Sequence, residues 1–263
     1  MIEIIENDKC CGCNACGDIC PTGAITFPTD KEGFWNPEIN QSLCIDCGLC
    51  QKTCPSLTKA DNVIRYEEPV VYAAYTKDEH IRTDSTSGGI HSMLALAMYD
   101  QHAYIGGAVY NKDHTVSHIV SADRQLLPAI RSSKYLQSSM EGVYKEVRAL
   151  LRAGEKVFFC GAPCQIQGLY KFLRKEYDNL TTCDFICRGV NSPKVFLSYM
   201  DMLEKQYGSK ATQIKFKNKK WGWHNFSMRV NFENGKEYCK DRWHDLFFIG
   251  YLQSGNFARP SCY

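Results

Sequence analysis

Cysteine dominates the chemistry available to this chain. The sequence has 263 residues and 15 cysteines, and nine of these precede residue 55. Two runs of the form C-x2-C-x2-C-x3-C-P occur 34 residues apart. The first run contains Cys10, Cys13, Cys16 and Cys20, and the second contains Cys44, Cys47, Cys50 and Cys54. This spacing is the bacterial ligand pattern for [4Fe–4S] clusters, and its repetition predicts two of them.

The last cysteine of each run is expected to ligate the cluster of the other run, because it lies beyond the loop that carries the first three. The predicted ligands are Cys10, Cys13, Cys16 and Cys54 for cluster 1, and Cys44, Cys47, Cys50 and Cys20 for cluster 2. Zinc is the alternative, but zinc sites use paired C-x2-C arms rather than three cysteines in seven residues. Cys11 falls outside the pattern and is predicted to be a spectator.

Composition excludes several classes of protein. The formal net charge of +2 and the apolar fraction of 44% argue against disorder and against a nucleic-acid-coating protein. No apolar run approaches the ~20 residues of a membrane helix, and the first residues lack the pattern of a secretory signal. We therefore expect a cytoplasmic protein with no membrane span and no nucleic-acid partner. In a reducing cytosol, so many cysteines favour metal binding over disulfides.

The elements that position these residues divide the chain into two domains. Residues 1–57 predict an α+β ferredoxin-like domain with two clusters, and the polar residues 58–69 predict a linker. Residues 70–263 alternate strand and helix patterns, which predicts an α/β domain with a mixed sheet and a hairpin near its end. The predicted strands are residues 70–75, 103–110, 156–160, 180–186, 213–216, 226–232 and 236–239. The predicted helices are residues 89–99, 140–152, 165–176, 193–207 and 243–253.

Two loops of the second domain lie at predicted strand-to-helix junctions, where α/β proteins bind ligands. Residues 85–89, with the sequence STSGG, could present backbone amides and a helix dipole to a phosphate, or form an ordinary N-cap. Residues 131–139, with two cations and four serines, could hold another part of a phosphorylated cofactor, or form a solvated loop.

Further cysteines follow two predicted strands. Cys160 and Cys164 follow one strand, and Cys183 and Cys187 follow the next, each pair with C-x3-C spacing. Cysteines at neighbouring strand ends could meet in space, and Cys262 would bring the number of thiolates for a third cluster to three. Packing of these cysteines as small apolar side chains is the alternative.

Together these motifs resemble one known family. The residues that carry the resemblance are the ferredoxin repeat, Ser87-Gly88-Gly89, Ser133-Lys134-Tyr135-x-Gln137-Ser138, Gly161-x-Pro163-Cys164-Gln165 and Asp184-x-Ile186-Cys187-x-Gly189-Val190-x-Ser192-Pro193. In this order they are similar to the family of coenzyme F420 hydrogenase/dehydrogenase beta subunits, in its bacterial form with a fused ferredoxin domain of two clusters. The resemblance covers nearly the whole chain.

The resemblance implies FAD and one further [4Fe–4S] cluster in the second domain. The flavin would contact Ser87, Gly88, Gly89, Ser133, Lys134 and Gln137. The third cluster would use Cys164, Cys187 and Cys262. The family motif continues with another cysteine after Arg-Pro-x-Cys, so residues 70–263 are expected to be a C-terminally incomplete flavin-binding domain. Cys160, Cys183 and Cys239 receive no role.

These parts predict an iron–sulfur flavoprotein oxidoreductase. Flavins exchange hydride as an electron pair, whereas clusters carry single electrons. A flavin beside clusters therefore links two-electron transfer to one-electron transfer. The resemblance implies hydride exchange with an F420-like deazaflavin or another small carrier, and the clusters imply an external redox protein. The alternative is a non-catalytic ferredoxin-type electron-transfer protein whose second domain docks a redox partner.

Two remaining patterns favour structural interpretations. His114 and His118 have the H-x3-H spacing of a metal-binding helix, but they follow a turn-like segment and predict a strand. Residues 210–220 contain five lysines beside Trp221 and Trp223, which could stack on single-stranded nucleic acid. The low net charge favours a solvated strand edge for this segment.

Overall fold

The structure is a computed structural model that describes residues 5–58 and 67–262. Most of the predicted linker, residues 58–69, therefore lies outside the described residues. In the N-terminal domain, α1 (Ala15–Ile19) lies beside α2 (Leu49–Thr53), and β1 (Ile25–Thr26) pairs antiparallel with β2 (Glu38–Ile39). Each helix ends directly before the last cysteine of its run, and that cysteine is extended. The chain therefore turns away from the first three cysteines at this point.

A five-stranded mixed sheet forms the centre of the second domain. In spatial order its strands are β5 (Ser138–Ser139), β4 (Val116–Ser121), β3 (Tyr104–Tyr110), β6 (Val157–Cys160) and β7 (Leu180–Cys183). β3 and β4 form an antiparallel hairpin, whereas the other neighbouring pairs are parallel. The predicted mixed sheet is confirmed.

Helices pack on both faces of this sheet. Phe158 and Phe159, which are neighbours in β6, contribute to different cores because successive strand side chains point to opposite faces. Phe158 packs with the helices at residues 90–99 and 127–130, and Phe159 packs with the helices at residues 143–152 and 163–173. The helices are α3 (Glu79–Asp84), α4 (Ile90–Tyr99), α5 (Leu127–Ile130), α6 (Val143–Arg152) and α7 (Pro163–Leu173).

A three-stranded antiparallel sheet completes the second domain. It contains β8 (Ala211–Asn218), β9 (Ser227–Phe232) and β10 (Glu237–Asp241), in the order β10-β9-β8. α8 (Pro193–Tyr207) packs on this sheet through Phe196, which is fully buried. The last elements are α9 (Leu246–Phe248), the π-helical turn Ile249–Gln253 and the 3-10 turn Pro260–Cys262. The predicted hairpin is therefore confirmed, and the helix predicted at residues 243–253 begins later.

One predicted strand is wrong. Residues 70–75 form no strand, and Val70, Val71 and Tyr72 are 76–84% exposed. A strand needs a hydrogen-bonded neighbour, and none of the strands in residues 5–58 and 67–262 pairs with this segment. Within the same ranges, no helix is long and apolar enough to cross a membrane.

The ferredoxin domain shares a core with the second domain. Cys13 and Ala15 belong to the same buried cluster as Tyr144, Phe159 and Leu169. Gly168 in α7 allows this close approach, since a Cβ there would lie 3.2 Å from Cys13 Sγ. The two domains are thus one packed body.

Asp18 of α1 caps a helix of the other domain. Its carboxylate accepts hydrogen bonds from the amides of Gly142 at 2.8 Å and Tyr144 at 2.9 Å, where α6 begins without a side-chain cap of its own. A carboxylate at a helix N-terminus satisfies free amides and complements the helix dipole. Burial raises the pKa of Asp18, and the two amide hydrogen bonds oppose that rise.

Candidate functional site

The first cavity of the ferredoxin domain combines cysteines from both runs. It is lined by Cys10, Cys13 and Cys16 from the first run and by Cys54 from the second. These four cysteines are only 7–8% exposed. The structure thus brings the first predicted quartet together, including the member that comes from the other run.

The second cavity holds the other predicted quartet. It is lined by Cys20, Cys44, Cys47 and Cys50. Cys47 is exposed, and the adjacent Ile45 is 64% exposed. The second cavity therefore lies closer to solvent than the first.

The surroundings of both cavities suit anionic thiolate ligands. The amide of Gly12 donates to Cys10 Sγ at 3.4 Å, and the amide of Ala24 donates to Cys20 Sγ at 3.3 Å. Burial raises the pKa of Cys10, and the guanidinium of Arg259 opposes that rise. Amide donors and a buried cation stabilise sulfur that carries negative charge, so the donor set fits iron–sulfur clusters.

Arg259 is the buried cation of this region and is 1% exposed. Its Nε donates to the carbonyl of Cys10 at 2.5 Å, and its Nη2 donates to Asn36 Oδ1. Among residues 5–58 and 67–262, no carboxylate pairs with this guanidinium. Arg259 therefore ties the last turn of the chain to the loop of the first cysteine run.

Gln137 lies at this interface and not among the loops predicted to hold the flavin. Its Oε1 accepts from the amide of Trp35 at 3.0 Å and from Arg259 Nη1 at 3.1 Å. Its Nε2 donates to the carbonyl of Trp35 at 3.1 Å. Because its amide is occupied by these partners, the structure assigns Gln137 to the domain interface. Contact between Gln137 and a flavin stays a prediction.

The cysteines predicted for a third cluster also converge. The thiol of Cys164 interacts electrostatically with Cys187 and Cys262. It also interacts with Cys11, whose thiol interacts with Cys13 as well. Cys11 lines the first cavity too, and its role as a spectator stays a prediction. No spacing signal marks Cys11, because its partner is 153 residues away.

The two loops predicted to contact a flavin lie against each other. The amide of Ser133 donates to Thr86 Oγ1 at 2.9 Å, and Ser132 Oγ donates to the carbonyl of Asp84 at 2.6 Å. Gly89, at φ 83°, begins α4 without a side-chain cap. The first amides of α4 therefore remain free of a side-chain cap, and amides of this kind can bind an anion.

Cations surround these loops. Asp84 forms ion pairs with Arg131, at 3.0 Å, and with Lys215. Lys134 and Lys219 also interact electrostatically with the Asp84 carboxylate. Burial lowers the pKa of Lys134 to about 7. Four cations around one carboxylate make the region electropositive, which fits a cofactor with phosphate groups.

A buried hydrogen-bond chain positions the start of α7, which carries Cys164. His118 Nδ1 and Ser138 Oγ are 2.9 Å apart, and Gln165 Nε2 donates to the same Ser138 oxygen at 2.9 Å. Gln165 Oε1 accepts from the amide of Ala162 at 2.9 Å.

His114 does not lie beside His118 in this chain of hydrogen bonds, because its side chain contacts Glu204 at 3.0 Å. Within residues 5–58 and 67–262, no three His, Cys, Asp or Glu side chains are grouped to hold a single metal ion.

His118 is expected to make the folded state sensitive to acid. Burial lowers its pKa to about 4, whereas an unfolded histidine titrates near pH 6.5. Stability is therefore full above pH ~6.5 and is lost as the pH falls toward 4, by about 2 kcal/mol between pH 7 and pH 5. Urea unfolding at both pH values should show a smaller loss for His118→Gln than for the parent chain. His80→Gln, at an exposed position, serves as the control. Equal losses in all three chains would contradict the prediction.

Comparison with known families agrees with this geometry. Residues 9–58 match the family described as 4Fe-4S dicluster domain. Residues 154–263 match the family described as the C terminus of the coenzyme F420 hydrogenase/dehydrogenase beta subunit. The two matches support an F420 hydrogenase beta-subunit-like family with a ferredoxin domain. Cysteines of this ferredoxin domain therefore indicate [4Fe–4S] chemistry.

Relatives of this beta-subunit-like protein include two methanogen proteins. The coenzyme F420-dependent sulfite reductase of Methanocaldococcus jannaschii is 30% identical over 176 residues, which are 64% of this chain and 26% of that protein. A subunit of the F(420)H(2) dehydrogenase of Methanosarcina mazei is 22% identical over 174 residues, which are 63% of this chain and 49% of that protein. The chain thus spans about a quarter and about half of these two relatives.

A solved structure of the F420-reducing [NiFe] hydrogenase complex from Methanosarcina barkeri is also similar. The match is 20% identical, covers 72% of this chain and 62% of that chain, and has a TM-score of 0.48.

Proposed function

We propose that this chain is the iron–sulfur electron-transfer subunit of an F420-related oxidoreductase, and that it binds a flavin that exchanges hydride with a deazaflavin or another acceptor. The shared core of the two domains carries the proposal, because it packs the first cysteine-lined cavity against the sheet and helices of the second domain. The names of the relatives and the matched family support a role in an F420-related oxidoreductase.

The cysteines of the two cavities are the proposed cluster ligands, in the crossed arrangement. Each cluster, when bound, supplies a one-electron carrier. The third group, Cys164, Cys187 and Cys262, is proposed to hold a further cluster. Cys11 lies between this group and Cys13, which supports an electron route from the second domain to the first cavity and then to the second.

An external redox protein is proposed to dock at the second cavity. Cys47 is exposed there, and Leu43 and Ile45 are 48% and 64% exposed beside Cys44. Electron exchange between proteins requires close approach of the carriers, and small apolar contacts are typical of transient redox encounters. The buried first cavity offers no comparable exposed edge, since its four cysteines are 7–8% exposed.

Flavin binding is proposed at the facing loops of the second domain. The proposed residues are Ser87, Gly88, Gly89, Ser133, Lys134 and Gln137. Amides at the start of α4 would face the phosphates, and the surrounding cations would neutralise them. FAD, when bound, would supply both hydride exchange and single-electron steps.

One observation favours the alternative of a non-catalytic electron carrier. The ammonium of Lys134 already donates to the four backbone carbonyls of residues 129–132, at 2.5–3.3 Å. A cation that is satisfied in this way has less need of a phosphate partner. Bound flavin therefore decides between the two functions.

We expect the anaerobically purified chain to carry about one flavin and at least about eight iron atoms, the number that two [4Fe–4S] clusters contain. Lys134→Met should weaken flavin binding about tenfold or more, the effect of losing one charge-assisted hydrogen bond, with no change in iron. Iron, sulfide and released flavin per chain are the measurements.

Lys112→Met, at an exposed turn residue, is the matched control and should retain flavin. A parent chain with about eight irons and no flavin would leave the electron carrier as the function. Full flavin occupancy in Lys134→Met would remove Lys134 from the site.

A further inference from the structure

Cys160 and Cys183 end two neighbouring parallel strands, β6 and β7, and lie directly opposite each other in the register. Neighbouring strands lie about 4.8 Å apart, and directly paired residues point to the same face of the sheet. A disulfide spans Cα separations of about 4.4–6.8 Å. The backbone therefore holds these two thiols at a separation that a disulfide can bridge.

This pair is separate from the proposed cluster ligands. The thiols of Cys160 and Cys183 interact with each other. Cys164, four residues after Cys160, interacts instead with Cys11, Cys187 and Cys262. The cysteines after the two strands thus divide into a thiol pair at the strand ends and a cluster group beyond them.

The two thiols of the pair are not equivalent. Contact with its partner lowers the pKa of Cys183 and raises the pKa of Cys160. Both thiols are partly exposed, but the residues that follow Cys183, Phe185 and Ile186, are 52% and 100% exposed. Cys183 is therefore the more acidic thiol and is followed by an open surface, which are the properties of an attacking thiol.

We propose that Cys160 and Cys183 form a redox-active dithiol that reduces small disulfides by thiol–disulfide exchange. The Cys183 thiolate attacks one sulfur of the external disulfide and releases one thiol. The Cys160 thiol then gives its proton to solvent and attacks the Cys183 sulfur, which releases the second thiol. One external disulfide becomes two thiols, and the dithiol becomes a Cys160–Cys183 disulfide.

The test uses the full chain with its clusters, under anaerobic conditions, in buffers of oxidised and reduced glutathione at stepped ratios. Free thiols are blocked with N-ethylmaleimide, and peptides are identified by mass spectrometry. We expect a linked Cys160–Cys183 peptide that appears at one ratio and disappears on return to reduced glutathione, with iron per chain unchanged. Cys160→Ser should trap glutathione on Cys183, and Cys183→Ser should leave Cys160 modified at least tenfold more slowly.

Cys239→Ser is the matched control, because the Cys239 thiol donates to Ser227 Oγ at 3.4 Å on another sheet. It should form the linked peptide at the same glutathione ratio as the parent chain. Absence of the linked peptide at every ratio, in a parent chain that keeps its iron, would overturn the proposal. Linkage that appears only after iron is lost would overturn it too, since the pair would then not react in the native protein. Neither result depends on flavin.

Discussion

Replacing Cys20 and Cys44 together by serine should remove about four iron atoms per chain, no more than either single replacement removes. Both residues line the second cavity, so both changes destroy the same cluster. If each run held its own cluster, Cys20 and Cys44 would serve different clusters, and the double replacement would remove about eight. The measurement is iron and sulfide per chain after anaerobic purification.

Matched double replacements separate crossed ligation from general damage. Cys16→Ser with Cys54→Ser should also remove about four irons, because both residues line the first cavity. Cys16→Ser with Cys44→Ser should remove about eight, since these residues belong to different cavities. A loss of about eight irons from both the Cys20 and Cys44 pair and the Cys16 and Cys54 pair would contradict the crossed arrangement.

Arg259→Met should lower the free energy of unfolding by about 1–3 kcal/mol, the cost of leaving a buried acceptor unsatisfied. Methionine keeps most of the apolar volume but leaves Asn36 Oδ1 without its donor, while the Cys10 carbonyl and Gln137 Oε1 each lose one of two donors. Each unsatisfied buried polar atom costs about 1–3 kcal/mol. Urea unfolding of the cluster-loaded chain measures the change, and we expect iron retention to fall with it.

Arg124→Met is the control for loss of a guanidinium at the surface. Arg124 is 55% exposed and pairs with Asp100 at 2.7 Å, so its loss should cost less than about 1 kcal/mol. Arg259→Lys keeps the positive charge but loses the planar set of guanidinium N–H donors. The stability of this variant should lie between those of the Arg259→Met variant and the parent chain. A change below about 1 kcal/mol for Arg259→Met would show that the interface does not depend on this side chain.

Local spacing made the cysteine quartets predictable. Three cysteines within seven residues must lie on one loop, and the last cysteine of each run must leave that loop, so the geometry follows from short chain segments. Alternating apolar patterns likewise predicted the mixed sheet, because strands and helices of this length bury one or both faces. The strand at residues 70–75 was wrong because its pattern carries no information about a pairing partner.

Contacts between distant segments were not predictable. Gln137 bonds to Trp35 across 102 residues, and Asp18 caps α6 across 124. Cys11 meets Cys164 through packing of the ferredoxin loop against α7. A single glutamine, aspartate or cysteine has the same local pattern whether it serves a cofactor or an interface, so only the folded arrangement distinguishes these roles.

The hydrogen bond from Arg259 to Cys10 spans 249 residues, and this distance has a consequence for biosynthesis. A ribosome adds about 5–20 residues per second, so the Cys10 loop is complete about 12–50 s before Arg259 exists. During that interval the loop lacks its buried cation, and in the first part of the interval it also lacks the helices α6 and α7 that cover it. Iron delivered early would bind a ferredoxin domain whose cysteine loop is still exposed. The second domain would then pack against this loop and bury clusters that are already assembled.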